Sequence, residues 1–367
     1  MRVLKILGKT LAVLIVVAVI VVGGYVGYVA LQYYRIEDNF ALSVESNVGE
    51  GEKVAVGQDY TVTTYNIGFG AYTHEFSFFM DSGTMKDGTA VTGSDSVAKD
   101  RETVERNTNG ALDAVARLNP DFMFFQEVDE DGDRSHHFNQ VQAVKDKFRT
   151  DGVVYAENFH TAYLFYPLNK PHGKNNAGIV TVTSKYASSA VRRSFPVDNG
   201  FINKFFDLDR CFSITYLPVE GSDNYLCLVN VHMSAYDKGG VIRQQQLQML
   251  NEVLTAEVEA GNYVVAGGDF NHDIAGSDGL FPTEMERPEW VYSLGDDDLA
   301  DGLRFVAATN APTCRSTDIP YTKGVNYTVV LDGFIVSDNV EAVGVTNIDL
   351  DFEFSDHNPA MMTFRLK

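Results

Sequence analysis

Residues 263–271 read YVVAGGDFN. A short apolar run closed by two glycines reads as a buried strand that hands a carboxylate and an amide, Asp269 and Asn271, to its end. The same layout recurs along the chain. Tyr60–Ile67 (YTVTTYNI) is β-branched and aromatic and carries Asn66 near its end. Residues 122–126 (FMFFQ) lead into Glu127, and 225–231 (YLCLVNV) lead into His232. Asp332 lies inside the apolar run 329–336, and Asp356-His357 precede the strand-like run 360–364. Hydrophobic strands that deliver carboxylates, amides and imidazoles to one edge are how α/β folds assemble a site.

Between these runs the period changes. Residues 101–118 have helical spacing through Val104, Leu112, Val115 and Leu118, and Asn119-Pro120 stops them. Residues 241–258 place Leu247, Leu250, Leu254 and Val258 on one face, and 136–149 suit a further helix. Strand-like runs are expected at 161–166, 177–183 and 211–217. Residues 72–100, rich in Gly, Ser, Thr and Asp, read as a long loop. This order indicates a layered α/β domain without internal repeats.

The N-terminus is of another kind. Residues 11–32 (LAVLIVVAVIVVGGYVGYVALQ) carry no charge and are long enough to cross a bilayer core. Arg2, Lys5 and Lys9 precede the run, while Glu37 and Asp38 follow it, so the positive-inside rule puts the chain's bulk outside the cytoplasm. A cleaved signal peptide competes with this reading, but the run is long for one and no A-x-A site closes it. The expected organisation is a basic tail at 1–10, a transmembrane anchor at 11–32, a tether at 33–58 and the main folded domain at 59–367.

The formal net charge of the 367 residues is −21. Residues 1–38 contribute +2, which leaves about −23 for the remainder. Such a domain lacks the basic footprint of a protein that grips nucleic acid through many phosphates. A phosphate substrate stays open, because a bound divalent cation reverses the local field. Cys211, Cys227 and Cys314 are an odd number without metal-ligand spacing. A Cys211–Cys227 bridge across a hairpin is conceivable, but buried free thiols are the stronger reading.

The polar residues at the strand ends favour a hard cation. Glu127 and Asp356 are oxygen ligands of the kind Mg²⁺ takes. No HExxH or cysteine cluster supports structural zinc, no Walker A loop or GxGxxG supports a nucleotide fold, and no G-x-S-x-G supports a serine hydrolase.

TYNIG, FFQEVD, NVHMSA, GGDFN, LDGFIVS and SDHNP stand in the order that resembles the endonuclease/exonuclease/phosphatase superfamily, over about residues 59–367. GGDFN with a terminal SDH is the most specific part. The resemblance implies a four-layer sandwich, two packed mixed β-sheets flanked by helices. It also implies a Mg²⁺- or Mn²⁺-dependent phosphoester hydrolase. By the same resemblance Glu127 is the main metal ligand, supported by Asn66, with Asp356 a further ligand. Asp269 orients or deprotonates the attacking water, and Asn271 steadies it. His232 and His357 contact the phosphoryl oxygens, and Asp332 orients His357. Singly, each residue has an ordinary reading: Asn66 a turn cap, His232 a satisfied core histidine, Gly268-Asp269 a turn.

Weaker candidates surround these. Asn176 in KNNAGIVTVTSK and Thr313 in NAPTCR are possible substrate contacts. Asp129, Asp131, Asp133, His136 and His137 form DEDGDRSHH, read as a solvated acidic loop in preference to a second cation site. His74 and the 72–100 loop are where selectivity is sought, and Asn326 heads a glycosylation sequon. A lipid or small organophosphate suits the anchor and the charge, whereas a nuclease suits the family alone. A catalytically inactive binding protein and an acidic surface spacer are the rivals from other classes. Oligomeric state is not readable from the sequence.

Overall fold

The computed structural model describes residues 2–197, 209–235 and 241–367. Helix α1 (Arg2–Gln32), long and apolar enough to cross a membrane by length and composition, lies outside the sheets and meets the rest of the chain through Tyr25 and Tyr28. The remaining elements form two seven-stranded mixed sheets. The first runs β1 (Phe40–Leu42), β9 (Ser189–Ser194), β10 (Cys211–Pro218), β11 (Tyr225–His232), β12 (Tyr263–Asp269), β16 (Asp332–Ser337) and β13 (Leu303–Val306). The second runs β17 (Val340–Asn347), β18 (Ala360–Leu366), β3 (Asp59–Asn66), β6 (Phe122–Gly132), β8 (Asn175–Thr183), β7 (Gly152–His160) and β2 (Val44–Glu45). Two short hairpins, β4 (Ser82–Thr84) with β5 (Ala90–Thr92) and β14 (Cys314–Arg315) with β15 (Thr328–Val329), lie outside the sheets.

The sheets pack face to face. Val62, Phe122, Phe124, Met362 and Phe364 of one meet Leu217, Leu228, Val265, Phe334 and Val336 of the other in a shared core. Their alternate residues face outward onto helices. Helix α4 (Val241–Glu259) covers Val229, Val264, Ala266 and Ile335 with Leu247, Leu250 and Leu254. On the other side α2 (Arg101–Leu118) and α3 (Gln140–Lys147) cover Tyr65, Met123, Phe125 and Val180. The molecule is therefore the four-layer sandwich that the resemblance implied. Beneath one end of it, Gln126 Nε2 donates to Asn230 Oδ1 at 2.8 Å, a buried polar link between the sheets.

Several expectations are corrected. The apolar run 161–166 forms no strand: Thr161, Ala162 and Leu164 are buried, Phe165 and Tyr166 are exposed, and the strand of that region is β7, one element earlier. Residues 329–336 break into β15 and β16, because the Thr313 hydroxyl accepts from both Leu331 N and Asp332 N and ends the ladder there. The 72–100 loop contains the β4/β5 hairpin. Residues 33–58, expected as a tether, supply β1 and β2 as edge strands to both sheets. All three cysteines are free and buried, in agreement with the stronger of the two readings. Asn326 is 1% exposed, with its amide bonded to Ser316 O and Ile319 O, so it is shielded from glycosylation.

Candidate active site

Strand register assembles the site. His232 at the end of β11 stands opposite Asp269 of parallel β12, and Asp269 stands opposite Asp332 of antiparallel β16. Three adjacent strands of one sheet thus present an imidazole and two carboxylates side by side. Gly268 permits the close approach, since a Cβ there would sit 1.9 Å from Val231 O on β11. From the second sheet, Asn66 ends β3 beside Gln126 of β6. Glu127 follows at a bulge between Phe125 and Val128, with φ +54. A bulge re-aims the side chain of its extra residue, here into the cleft. The Ser355 hydroxyl donates to Asn66 O at 2.7 Å and ties the Asp356-His357 segment to the same end.

The side chains converge. Asn66 Nδ2 donates to Asp269 Oδ2 at 3.0 Å and lies 3.3 Å from Glu127 Oε1. Asn271 N donates to Asp269 Oδ1 at 2.8 Å, so both Asp269 oxygens are held and the carboxylate plane is fixed. His357 Nδ1 bonds Asp332 Oδ2 at 2.8 Å and turns Nε2 to within 3.7 Å of Asp269 Oδ2. His232 Nε2 lies 3.7 Å from Asp269 Oδ2 and 3.9 Å from Glu127 Oε1. One cleft is lined by Glu127, His232, Asp269, Asn271, Asp356 and His357.

The electrostatics separate the two imidazoles. Burial works against charge on His357, but the Asp332 carboxylate outweighs it, and His357 is raised well above the ordinary imidazole range. It is therefore a cation at neutral pH. Burial pushes the Asp332 carboxyl up to about 6, with His357 pulling the other way. Burial and the nearby Arg210 guanidinium hold His232 well below the ordinary range, so it is neutral. Arg210 Nη1 contacts His232 Nε2. Burial pushes Asp356 up to about 7, opposed by His357 and reinforced by Glu127.

Two groups of residues offer metal-ligand chemistry. Glu127 and Asp356 are cleft-lining carboxylates whose mutual repulsion a bound divalent cation would reverse, which is the fit expected of a hard-cation site. Asp269, Asp332 and His357 also offer donor atoms within 4.8 Å of one another. In that triad the His357 Nδ1 is already taken by Asp332, so it reads better as a carboxylate–imidazole chain.

Two expected substrate contacts lie elsewhere. Asn176 sits on β8 opposite Asp131 and His160 and is not among the cleft-lining residues. Thr313 is fully buried and, through its hydroxyl, positions the backbone of Asp332. In the acidic loop, Asp129 is buried in a multiple contact with Arg134 and Ser135, while His137 pairs with Asp131 at 2.7 Å on the surface. His74 bonds Asp351 O outside the cleft. The 72–100 segment does contribute Tyr72, Phe78 and Asp81 to the wall.

Sequence reasoning missed three arginines, Arg134, Arg210 and Arg315, and Trp290 in the cleft lining. Arg315 is 1% exposed, with Nη2 on Thr73 O at 3.0 Å and Nε without a hydrogen-bond partner. Trp290 is the sole tryptophan, and that rarity was the one available signal.

A family model described as Endonuclease/Exonuclease/phosphatase family matches residues 63–357. No curated protein matches the sequence. Among solved structures, TDP2 from Caenorhabditis elegans is similar with TM-score 0.52 and 16% identity over 87% of this chain and 76% of its own. An endonuclease/exonuclease/phosphatase from Beutenbergia cavernae gives TM-score 0.52 and 17% identity over 84% and 72%. ANGEL2, a 2′,3′-cyclic phosphatase solved with adenosine-2′,3′-vanadate, gives TM-score 0.52 and 14% identity over 89% and 98%. At these identities the likeness is one of fold.

Proposed function

The chain belongs to the endonuclease/exonuclease/phosphatase family, and we propose that it is a divalent-cation-dependent phosphoester hydrolase held on the outer face of a membrane by α1. The observation that carries this reading is Asp269, fixed by Asn66 and Asn271 beside a charged His357 and facing the Glu127–Asp356 side of one cleft.

Each residue has a distinct task. The Asp269 carboxylate takes the proton of an attacking water as that water's oxygen bonds to phosphorus and the ester P–O bond breaks, its electron pair leaving on the alkoxide oxygen, which is protonated from solvent. Asn66 and Asn271 keep the carboxylate oriented throughout. The charged His357, held by Asp332, donates to a nonbridging oxygen whose charge grows as the reaction proceeds. His232 is neutral, so the positive charge on its side of the cleft comes from Arg210. Glu127 and Asp356 would hold Mg²⁺ or Mn²⁺, and that cation, when bound, neutralises phosphoryl charge. A lipid or small organophosphate is the substrate class favoured by the anchor helix and the net charge of −21.

The test is a panel of phospholipid, small phosphoester and DNA substrates presented to the full chain, with Mg²⁺, Mn²⁺ or EDTA. Asp269→Ala should lower kcat by about 10²- to 10⁴-fold while circular dichroism stays unchanged. An unaltered rate in that variant, or equal turnover in EDTA, would favour the inactive binding protein instead.

A further inference from the structure

The turn 163–168 (YLFYPL) is apolar yet faces solvent. Phe165, Tyr166 and Leu168 are 52%, 69% and 85% exposed. The turn is firmly built: Leu164 and Gly173 exchange backbone hydrogen bonds at 3.0 and 3.1 Å, and His172 N reaches Tyr166 O at 3.2 Å. A well-fixed turn that displays three large apolar side chains within four positions marks an interaction surface.

Its neighbour identifies the occupant. Tyr25 of α1 donates to Tyr163 O at 3.1 Å, Tyr163 N donates to the Tyr28 hydroxyl at 3.2 Å, and the Tyr25 and Phe165 rings lie 5.3 Å apart. About 20 residues cross a bilayer core, so a span that begins at Leu11 leaves it near Ala30. Tyr25 and Tyr28 then lie in the last two turns of the span, where the hydrocarbon core gives way to the outer interfacial layer in which tyrosines collect. The turn sits beside them at that depth. On its other side, the Tyr166 ring is 5.7 Å from Phe79, and Phe79 is 5.0 Å from Phe78, which lines the cleft. An aromatic row joins the turn to the active-site wall.

We propose that this turn is a lipid-docking surface, through which Phe165, Tyr166 and Leu168 enter the outer interfacial layer and set the cleft to receive a phosphoester from the bilayer. The proposal rests on the reading of α1 as a retained anchor and of the cleft as a phosphoester hydrolase. The occupant is the lipid itself: the apolar surface is continuous with that of α1, and aromatic and aliphatic side chains at a water boundary match the interfacial layer.

The full chain in phosphatidylcholine vesicles provides the test. Tyr166→Trp should show quenching by brominated phosphatidylcholine above the Trp290 background of the parent chain, strongest for shallow bromines. No added quenching at any depth would overturn the proposal. A Phe165→Ser/Tyr166→Ser/Leu168→Ser variant should lose about tenfold in turnover of a headgroup-labelled phospholipid in those vesicles. It should keep its rate on soluble bis-p-nitrophenyl phosphate. Equal loss on both substrates, or loss on neither, overturns it. A parent chain inactive on both substrates sinks the hydrolase reading, and the quenching measurement still decides docking.

Discussion

Glu127 holds a backbone conformation that non-glycine residues seldom adopt, with φ +54 at a bulge. Such outliers gather at functional sites, where the surrounding structure over-determines them. Its carboxylate also adds to the repulsion that, after burial, raises Asp356 to about 7. Without a cation the two carboxylates repel each other; on the proposed reading a bound cation would turn the same two charges into ligands. Glu127→Gln keeps an acceptor for Asn66 Nδ2 but removes the charge. In EDTA the variant should be more stable than the parent by ~1 kcal/mol, a Tm about 2 °C higher. Added Mn²⁺ should stabilise it less than the parent. A lower Tm in EDTA would mean that the Glu127 charge is already compensated by the cleft arginines. The two histidines differ on the same principle of local partners. His357 has a carboxylate on Nδ1 and is charged, whereas His232 meets Arg210 and is neutral. A family resemblance names both positions but does not fix their charge, because burial and the neighbouring charged groups decide it.

Strand ends are the elements that made the site legible. Asn66, His232 and Asp269, each closing an apolar run, and Asp332, inside one, came together because register aligned those positions. Glu127 was legible as the residue after FMFFQ, although β6 continues past it to Gly132 through the bulge. The arginines were not legible. Arg134 follows a run of acids, Arg210 precedes a strand and Arg315 lies in a β14/β15 hairpin, and no periodicity links such positions. Thr313 misled because its hydroxyl faces inward to Asp332 N, and Asn176 because it pairs with Asp131 and His160, beyond the Glu127 bulge. The run 161–166 read as a strand since apolarity alone does not tell a strand from a partly buried loop. The spacing of β11 and β12 is the most exacting feature of the assembly. Gly268→Ala places a methyl 1.9 Å from Val231 O, a backbone atom that moves only with its strand. It should cost more than ~3 kcal/mol. Any folded fraction should lose turnover as well, because the strands that carry His232 and Asp269 must separate. Thermal unfolding and the rate per folded molecule check both effects. A Tm within error of the parent would mean that the two strands tolerate a wider gap.

At the scale of the whole molecule, charge acts over two ranges. The chain carries −21, and one cleft sets Arg134, Arg210 and Arg315 beside Asp81, Glu127, Asp269 and Asp356. The arginines act over contact distances and are largely buried, so salt screens them little. The net charge acts at long range through solvent, and there it repels polyanions and anionic surfaces. The Debye length shrinks from about 30 Å at 0.01 M salt to about 8 Å at 0.15 M. Raising NaCl over that range at fixed Mn²⁺ should therefore increase kcat/KM on DNA or on anionic vesicles. This is the reverse of the salt dependence of a protein that releases phosphate counterions on binding. On phosphatidylcholine vesicles, which carry no net charge, the rate should stay flat. Initial rates at several salt concentrations on the two vesicle types separate the long-range field from the cleft. A rate on anionic substrates that falls with salt would show that the arginine-lined cleft governs encounter, and that the acidic exterior is too distant from the approach path to oppose it.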